Sequence, residues 1–231
     1  MCSLLYSARV ALARADWRDV APEEHAFVFT VAKATKIEVL TNLVAKVDKL
    51  IIGGGMANTF LQSMGRMTGQ SITEPEFHST AREIMAEAKD KGCEIILPLD
   101  AVVADAFAEG LATRIVPIQA VPFDKMILDV GPETIAHVNK VLEGCKTVLW
   151  NGPMGAFEIR DFATGTFEVA KKVAALTKAG KMTSVAGGGD TVAALNAAGV
   201  TGDFTYVSTA GGAFLEWLEG RELPGIAALA R

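Results

Sequence analysis

The sequence predicts a three-layer α/β/α fold, a Rossmann-like open parallel sheet with helices on both faces. Short, continuous apolar runs of strand length alternate with segments of helical spacing, the pattern of strands buried on both sides of a parallel sheet. The second observation is punctuation. Glycine-rich turns follow Ile52, Trp150, Val185 and Val207, and in such a sheet all strand carboxyl ends lie on one edge, where ligands bind.

Residues 1–25 read as a variable lead-in. Ala8, Val10, Leu12 and Ala13 give a mild helical rhythm, a charged stretch runs from Asp16 to Glu24, and no motif follows. Residues 26–231 read as one α/β domain. Ala26-Phe27-Val28-Phe29 is a buried strand and Lys36 to Leu43 has helical spacing; Lys49-Leu50-Ile51-Ile52 runs through Gly53-Gly54-Gly55 into a helix from Met56 to Leu61. A long helix from Pro75 to Lys91 leads to the strand Glu94-Ile95-Ile96-Leu97. Met126-Ile127-Leu128-Asp129 is the next strand, and Pro132 suits the first turn of a helix that runs through Ile135, Val138 and Val141. Thr147-Val148-Leu149-Trp150 precedes Asn151-Gly152-Pro153-Met154-Gly155. Met182 to Val185 precedes Ala186-Gly187-Gly188-Gly189-Asp190-Thr191 and a helix through Leu195, and Thr205-Tyr206-Val207 precedes Ser208 to Gly212 and a helix from Ala213 to Glu219.

Composition narrows the function. Of 231 residues, 50% are hydrophobic and 21% charged, with mean hydropathy +0.30, so the chain can bury a core. A net charge of −5 argues against a nucleic-acid or anionic-membrane surface and points to small-molecule partners. No apolar run reaches the roughly 18 residues of a membrane span, and no basic segment opens a secretory signal. Cys2, Cys93 and Cys145 are isolated, and His25, His78 and His137 are scattered. The cysteines read as reduced thiols in a cytoplasmic protein, expected to be monomeric, and the histidines are not expected to form a metal site.

The chemistry is expected at Gly187-Gly188-Gly189-Asp190-Thr191. Glycines remove every Cβ from a strand-to-helix turn, so backbone N–H groups can approach an anion at the positive end of a helix. Asp190 beside a bound phosphate makes sense with Mg²⁺ between them, or as a helix cap. No G-x-x-x-x-G-K-[ST] and no G-x-G-x-x-G occurs at these turns. The glycine loops therefore suit a nucleoside polyphosphate held by distributed contacts, and phosphoryl transfer needs mainly positioning and charge neutralisation.

Five segments resemble phosphoglycerate kinase in order and spacing. They are Leu50-Ile51-Ile52-Gly53-Gly54-Gly55-Met56-Ala57, Leu128-Asp129-Val130-Gly131-Pro132-Glu133, Trp150 to Glu158, Gly187 to Thr191, and Ser208-Thr209-Ala210-Gly211-Gly212-Ala213. The likeness is to the nucleotide-binding, C-terminal half of that family and covers roughly residues 33 to 229. It implies that Gly53 and Gly54 line an adenine slot, that Asn151, Pro153, Gly155 and Ala156 border the nucleotide, and that Glu158 takes the ribose hydroxyls. It implies further that Gly187, Gly188, Gly189 and Thr191 hold phosphates, that Asp190 meets Mg²⁺, and that Lys36 contacts the nucleotide phosphates. Gly211 and Gly212 would offer N–H groups to the phosphoryl group in flight, which with Lys36 and Gly188 makes the catalytic set. The implied reaction moves a phosphoryl group between 1,3-bisphosphoglycerate and Mg-ADP, giving 3-phosphoglycerate and Mg-ATP in glycolysis.

Three departures qualify the resemblance. Where the family writes Gly-Gly-x-Lys-Val-x-x-Lys, this chain has Phe29-Thr30-Val31-Ala32-Lys33-Ala34-Thr35-Lys36. Ala32 stands in place of the first lysine and Lys33 comes one position later, a slip that turns a side chain to the opposite face unless a loop absorbs it. Ala210 replaces a glycine. Residues 1–25 also contain no counterpart of the family's N-terminal half, which supplies the 3-phosphoglycerate site. The alternative is thus an isolated nucleotide-binding module, or a truncated remnant, without turnover.

Overall fold

The computed structural model describes residues 25–30 and 37–208. Its main sheet is parallel, with six strands: β1 (His25–Thr30), β2 (Lys49–Gly53), β3 (Glu94–Ile96), β7 (Thr147–Asn151), β8 (Thr183–Gly187) and β9 (Tyr206–Ser208). They lie in the order β3-β2-β1-β7-β8-β9. The chain thus winds outward from β1 in one direction and returns to extend the sheet in the other, which makes the β1/β7 boundary the topological switch point. Register aligns the strand ends. Phe29 pairs with both Ile52 and Asn151, Asn151 with Gly187, and Gly187 with Ser208, so the glycine turns leave the sheet from one row at its carboxyl edge.

Helices cover both faces. They are α1 (Ile37–Val44), α2 (Gly54–Ser63), α3 (His78–Lys91), α4 (Pro132–Glu143), α5 (Thr164–Lys178) and α6 (Gly189–Ala197). Strand alternation sorts the core. Leu50 and Ile52 pack with Leu40 of α1, Phe60 of α2 and Ile84 of α3, whereas Ile51, Val148 and Trp150 pack with Val138 of α4, Val173 of α5 and Leu195 of α6. The expected two-sided sheet is therefore present. Cys93 and Cys145 are buried and form no disulfide among the described residues, as expected for small apolar fillers.

Two local expectations are corrected, and one helix is new. Met126 to Asp129 does not join the parallel sheet: as β6 (Met126–Val130) it pairs antiparallel with β4 (Asp100–Ala104), which also pairs antiparallel with β5 (Arg114–Pro117). Residues 105–113 alone separate β4 from β5, too few for a parallel crossover, so β4 forms an antiparallel pair with β5, and β6 takes the other edge of β4. The run from Pro75 to Lys91 opens with a 3₁₀ turn at Pro75–Phe77 before α3, which stops at Gly92 with φ +77°. The helix not expected from the sequence is α5, whose small buried residues, Gly165, Thr166, Ala170 and Ala174, dilute the apolar periodicity.

The small sheet is locked to the main one through a buried carboxylate. Asp100 on β4 accepts hydrogen bonds from the N–H groups of Glu133 (3.0 Å) and Thr134 (2.8 Å) and from the Thr134 hydroxyl (2.6 Å). It thus caps α4 from another strand, since the helix's own N-cap, Gly131, has no side chain to do so. A Cβ at Gly131 would lie 2.2 Å from the Asp100 carboxylate. That close approach excludes any larger residue.

Candidate functional site

A cleft of about 530 Å³ opens at the carboxyl edge of the sheet, within the size range of small-molecule sites. Its floor and walls come from the turn after β2 (Gly54, Gly55), the turn after β7 (Asn151 to Ala156, with Glu158), the start of α6 (Gly188 to Thr191) and strand β6. Glycine turns far apart in sequence therefore meet at the switch point. Ile72 and Phe107, which lie in loops, add to the apolar lining beside β6.

The turn after β8 is shaped for backbone donation. Gly188 has φ +101° and ψ 141°, a conformation open only to glycine, and a Cβ there would lie 2.8 Å from Asn151 Nδ2. Val192 N–H is bonded to Gly188 O at 3.0 Å within α6. The N–H groups of Gly189, Asp190 and Thr191 precede that first helical bond, so they have no intrahelical acceptor and face the positive end of the helix.

Three side chains tie the turns together. Asn151 Nδ2 donates to Gly187 O at 2.7 Å, the Thr191 hydroxyl donates to the same carbonyl at 2.7 Å, and that hydroxyl accepts from Gly152 N–H at 2.7 Å. The Trp150 indole N–H donates to Gly152 O. Asn151 and Thr191 are buried. The Thr191 side chain is thus committed to holding the loop, and its backbone N–H is what it can offer a ligand. On the other side, the Thr166 hydroxyl accepts from Met154 N–H (3.0 Å) and Gly155 N–H (3.3 Å), and Ala156 N–H donates to Leu128 O (2.8 Å).

Electrostatically the cleft is acidic. Its described lining includes three carboxylates, Asp129, Glu158 and Asp190, and no lysine, arginine or histidine. Glu158 and Asp190 are exposed. Asp190 stands in the first turn of α6, where the helix dipole favours a carboxylate, and has no hydrogen-bond or ion-pair partner among the described residues. Asp129 is different: it is buried, and burial pushes its carboxyl up to about 7 even though the Gly165 and Val130 N–H groups stabilise the charged form.

Of the residues expected here, Gly54, Asn151, Pro153, Gly155, Ala156, Glu158, Gly188, Gly189, Asp190 and Thr191 line the cleft. Gly53 and Gly187 end their strands behind it, Gly187 O serving as the shared acceptor above. Lys36, Gly211 and Gly212, with the departures at Ala32, Lys33 and Ala210, lie outside the described residues. Sequence reasoning missed Asp129 as a cleft residue, although a lone charge inside the apolar strand Met126–Val130 was a usable signal. Ile72 and Phe107 sit in loops whose placement no local pattern announces.

A profile of the phosphoglycerate kinase family matches residues 20–221, beginning within the segment expected as lead-in. The phosphoglycerate kinase of Methylorubrum extorquens (strain PA1) is 60% identical over 196 residues, 85% of this chain and 49% of its own length. That of Xanthobacter autotrophicus is 60% identical over 198 residues, covering 86% and 50% respectively. Among solved structures, the phosphoglycerate kinase from Coxiella burnetii superposes with a TM-score of 0.90 at 43% identity, over 98% of this chain and 57% of that one. The enzyme from Pyrococcus horikoshii OT3 superposes with a TM-score of 0.77 at 27% identity. The chain spans about half the length of the curated relatives it matches. With a family profile over most of its residues and the same fold in solved members, this chain belongs to the phosphoglycerate kinase family.

Proposed function

We propose that the chain supplies the nucleotide half of the phosphoglycerate kinase reaction, in which ADP accepts a phosphoryl group from 1,3-bisphosphoglycerate to give ATP and 3-phosphoglycerate, in the glycolytic cytoplasm. The observation that supports this best is the convergence of three glycine turns on one cleft at the switch point, with the unpaired N–H groups of α6 facing it. The apolar wall beside Gly54 takes the base, Glu158 the ribose hydroxyls, and the Gly189–Thr191 N–H groups the phosphates. Chemically, the β-phosphate oxygen of ADP attacks the acyl phosphate, the acyl-oxygen–phosphorus bond breaks, and the carboxylate leaves. Lys36, Gly211 and Gly212 complete the neutralisation of the moving charge.

The acidic lining calls for a cation. Among the described residues no three His, Cys, Asp or Glu side chains gather as a ligand set, so Mg²⁺ would be held by Asp190 together with phosphates and water, a coordination this ion favours. Bound there, it would screen the phosphates from the cleft's carboxylates.

Titration calorimetry with ADP, with and without Mg²⁺, tests the nucleotide site; absence of binding under both conditions overturns it. A coupled assay with 1,3-bisphosphoglycerate and ADP tests turnover separately. Binding without turnover would establish the module reading over the enzyme one.

A further inference from the structure

Asp129 is the one buried carboxylate of the cleft lining, and the fold makes room for it. A Cβ at Gly155 would lie 2.2 Å from its Oδ1, and one at Gly165 would lie 2.4 Å from the same atom. Two glycines from different elements therefore form a niche for one side chain. Within it, Oδ2 accepts from Gly165 N–H at 2.7 Å, in the first turn of α5, and Oδ1 accepts from Val130 N–H at 2.9 Å. The residue after Gly165 is Thr166, whose hydroxyl holds the N–H groups of Met154 and Gly155. Asp129 thus acts on the loop after β7 twice, by contact with Gly155 and through the α5 turn that carries Thr166.

A carboxylate is an expensive way to fill such a niche. Burying a charge without a cationic partner costs far more than burying an apolar side chain of the same size. Here the compensation is two N–H bonds and the positive end of α5, and among the described residues no cationic side chain offsets the burial. The titratable groups on the neighbouring elements are paired or exposed: Asp100 on β4 caps α4, Glu158 and Asp190 lie exposed at the cleft, Lys171 of α5 pairs with Glu168, and Lys172 pairs with Glu143. Loss or gain of the Asp129 proton is therefore felt by its two N–H donors and by Gly155.

We propose that Asp129 is a positioning residue for nucleotide binding, its ionised carboxylate holding the 152–156 loop against the first turn of α5 in the form that meets the nucleotide. This rests on the nucleotide reading above. When the carboxyl is ionised, both oxygens accept fully; when it is neutral, one oxygen carries a proton and its N–H partner loses a charge-assisted bond. Because burial places that change at about 7, both forms are present near neutrality.

The test is calorimetric titration with ADP of the wild type and of Asp129→Asn, at several values between about pH 6 and about pH 8, with circular dichroism to compare folding. Asparagine keeps the shape but loses one acceptor and the titration. Taking the ratio of the two dissociation constants cancels the ionisation of ADP itself. The expected ratio is near one at the acid end and rises to roughly three- to tenfold at the basic end, the size of one ordinary net hydrogen bond. A ratio that is constant or falls with pH overturns the proposal. If the variant does not fold, carbon NMR titration of the wild-type carboxyl decides: saturating ADP must move its titration to lower pH, because linkage is reciprocal, and an unmoved titration overturns the proposal. Wild type that binds no ADP at any pH overturns the nucleotide reading, whereas binding with a flat ratio overturns only the role of Asp129.

Discussion

Gly188 and Gly189 are neighbours in one loop, yet the structure assigns them different costs. Gly188→Ala forces a Cβ into a φ +101° backbone and to within 2.8 Å of Asn151 Nδ2 and 3.2 Å of Thr191 Oγ1. The conformation alone costs about 1–3 kcal/mol. Displacing the Asn151 amide also breaks its bond to Gly187 O, about 1 kcal/mol more. A loss of about 3 kcal/mol corresponds to a fall in Tm of about 6–12 °C for a domain of this size. Gly189→Ala meets nothing within 4 Å and lies in no left-handed region. It begins α6, where alanine is the better helix former by up to about 1 kcal/mol, so Tm should hold or rise slightly. Its methyl group nevertheless stands beside the free N–H groups, and ADP binding should weaken by about tenfold, or about 1.4 kcal/mol. Thermal melts and calorimetry on both variants check the contrast. If Gly188→Ala melts within about 3 °C of wild type, or if Gly189→Ala is as unstable as Gly188→Ala, the reasoning from backbone geometry fails; undiminished ADP binding by Gly189→Ala removes the phosphates from this helix end.

Other outcomes follow from the same site. Asp190→Ala should leave unfolding stability within about 0.5 kcal/mol of wild type while flattening the Mg²⁺ dependence of ADP affinity; unchanged dependence in calorimetry would leave Asp190 with only its dipole role. Thr191→Val keeps the shape but strips the bonds to Gly152 N–H and Gly187 O, so denaturant unfolding should show a loss of about 1–3 kcal/mol. The raised Asp129 carboxyl has a stability signature: the folded state favours the neutral form, so this contribution is fully present below about pH 4, declines through the folded value near 7, and is flat above it. Stability of Asp129→Asn relative to wild type should therefore rise across that window in denaturant titrations, and a parallel pair of curves would contradict it. Cys93, whose thiol burial pushes up to about 11, should react with thiol reagents only on unfolding.

Much of the fold was legible because strand and helix periods are local. The runs Lys49–Ile52, Thr147–Trp150 and Met182–Val185 needed only their own apolar residues to read as buried strands, and each lies in the main sheet within a residue or two. Met126–Asp129 has the same local signature and went to a different sheet, because its pairing partner, β4, is distant in the chain and no local pattern identifies it. Asp129 was hidden for a related reason: the donor that gives it a role is Gly165, 36 residues away.

By itself the sequence determined the alternation of strands and helices, the glycine turns that end them, and motifs enough to place the family. Those properties reside in neighbours at spacings of two to four residues, which any contiguous stretch displays. Only the tertiary structure decided that the turns share one cleft, that the Thr191 hydroxyl is spent on the loop, that Gly188 is obligatory while Gly189 is not, and that a carboxylate in an apolar strand is buried between two glycines. Each of these depends on contacts between segments distant in the chain, where burial and angstrom-scale distances set the energy of a charge or a methyl group.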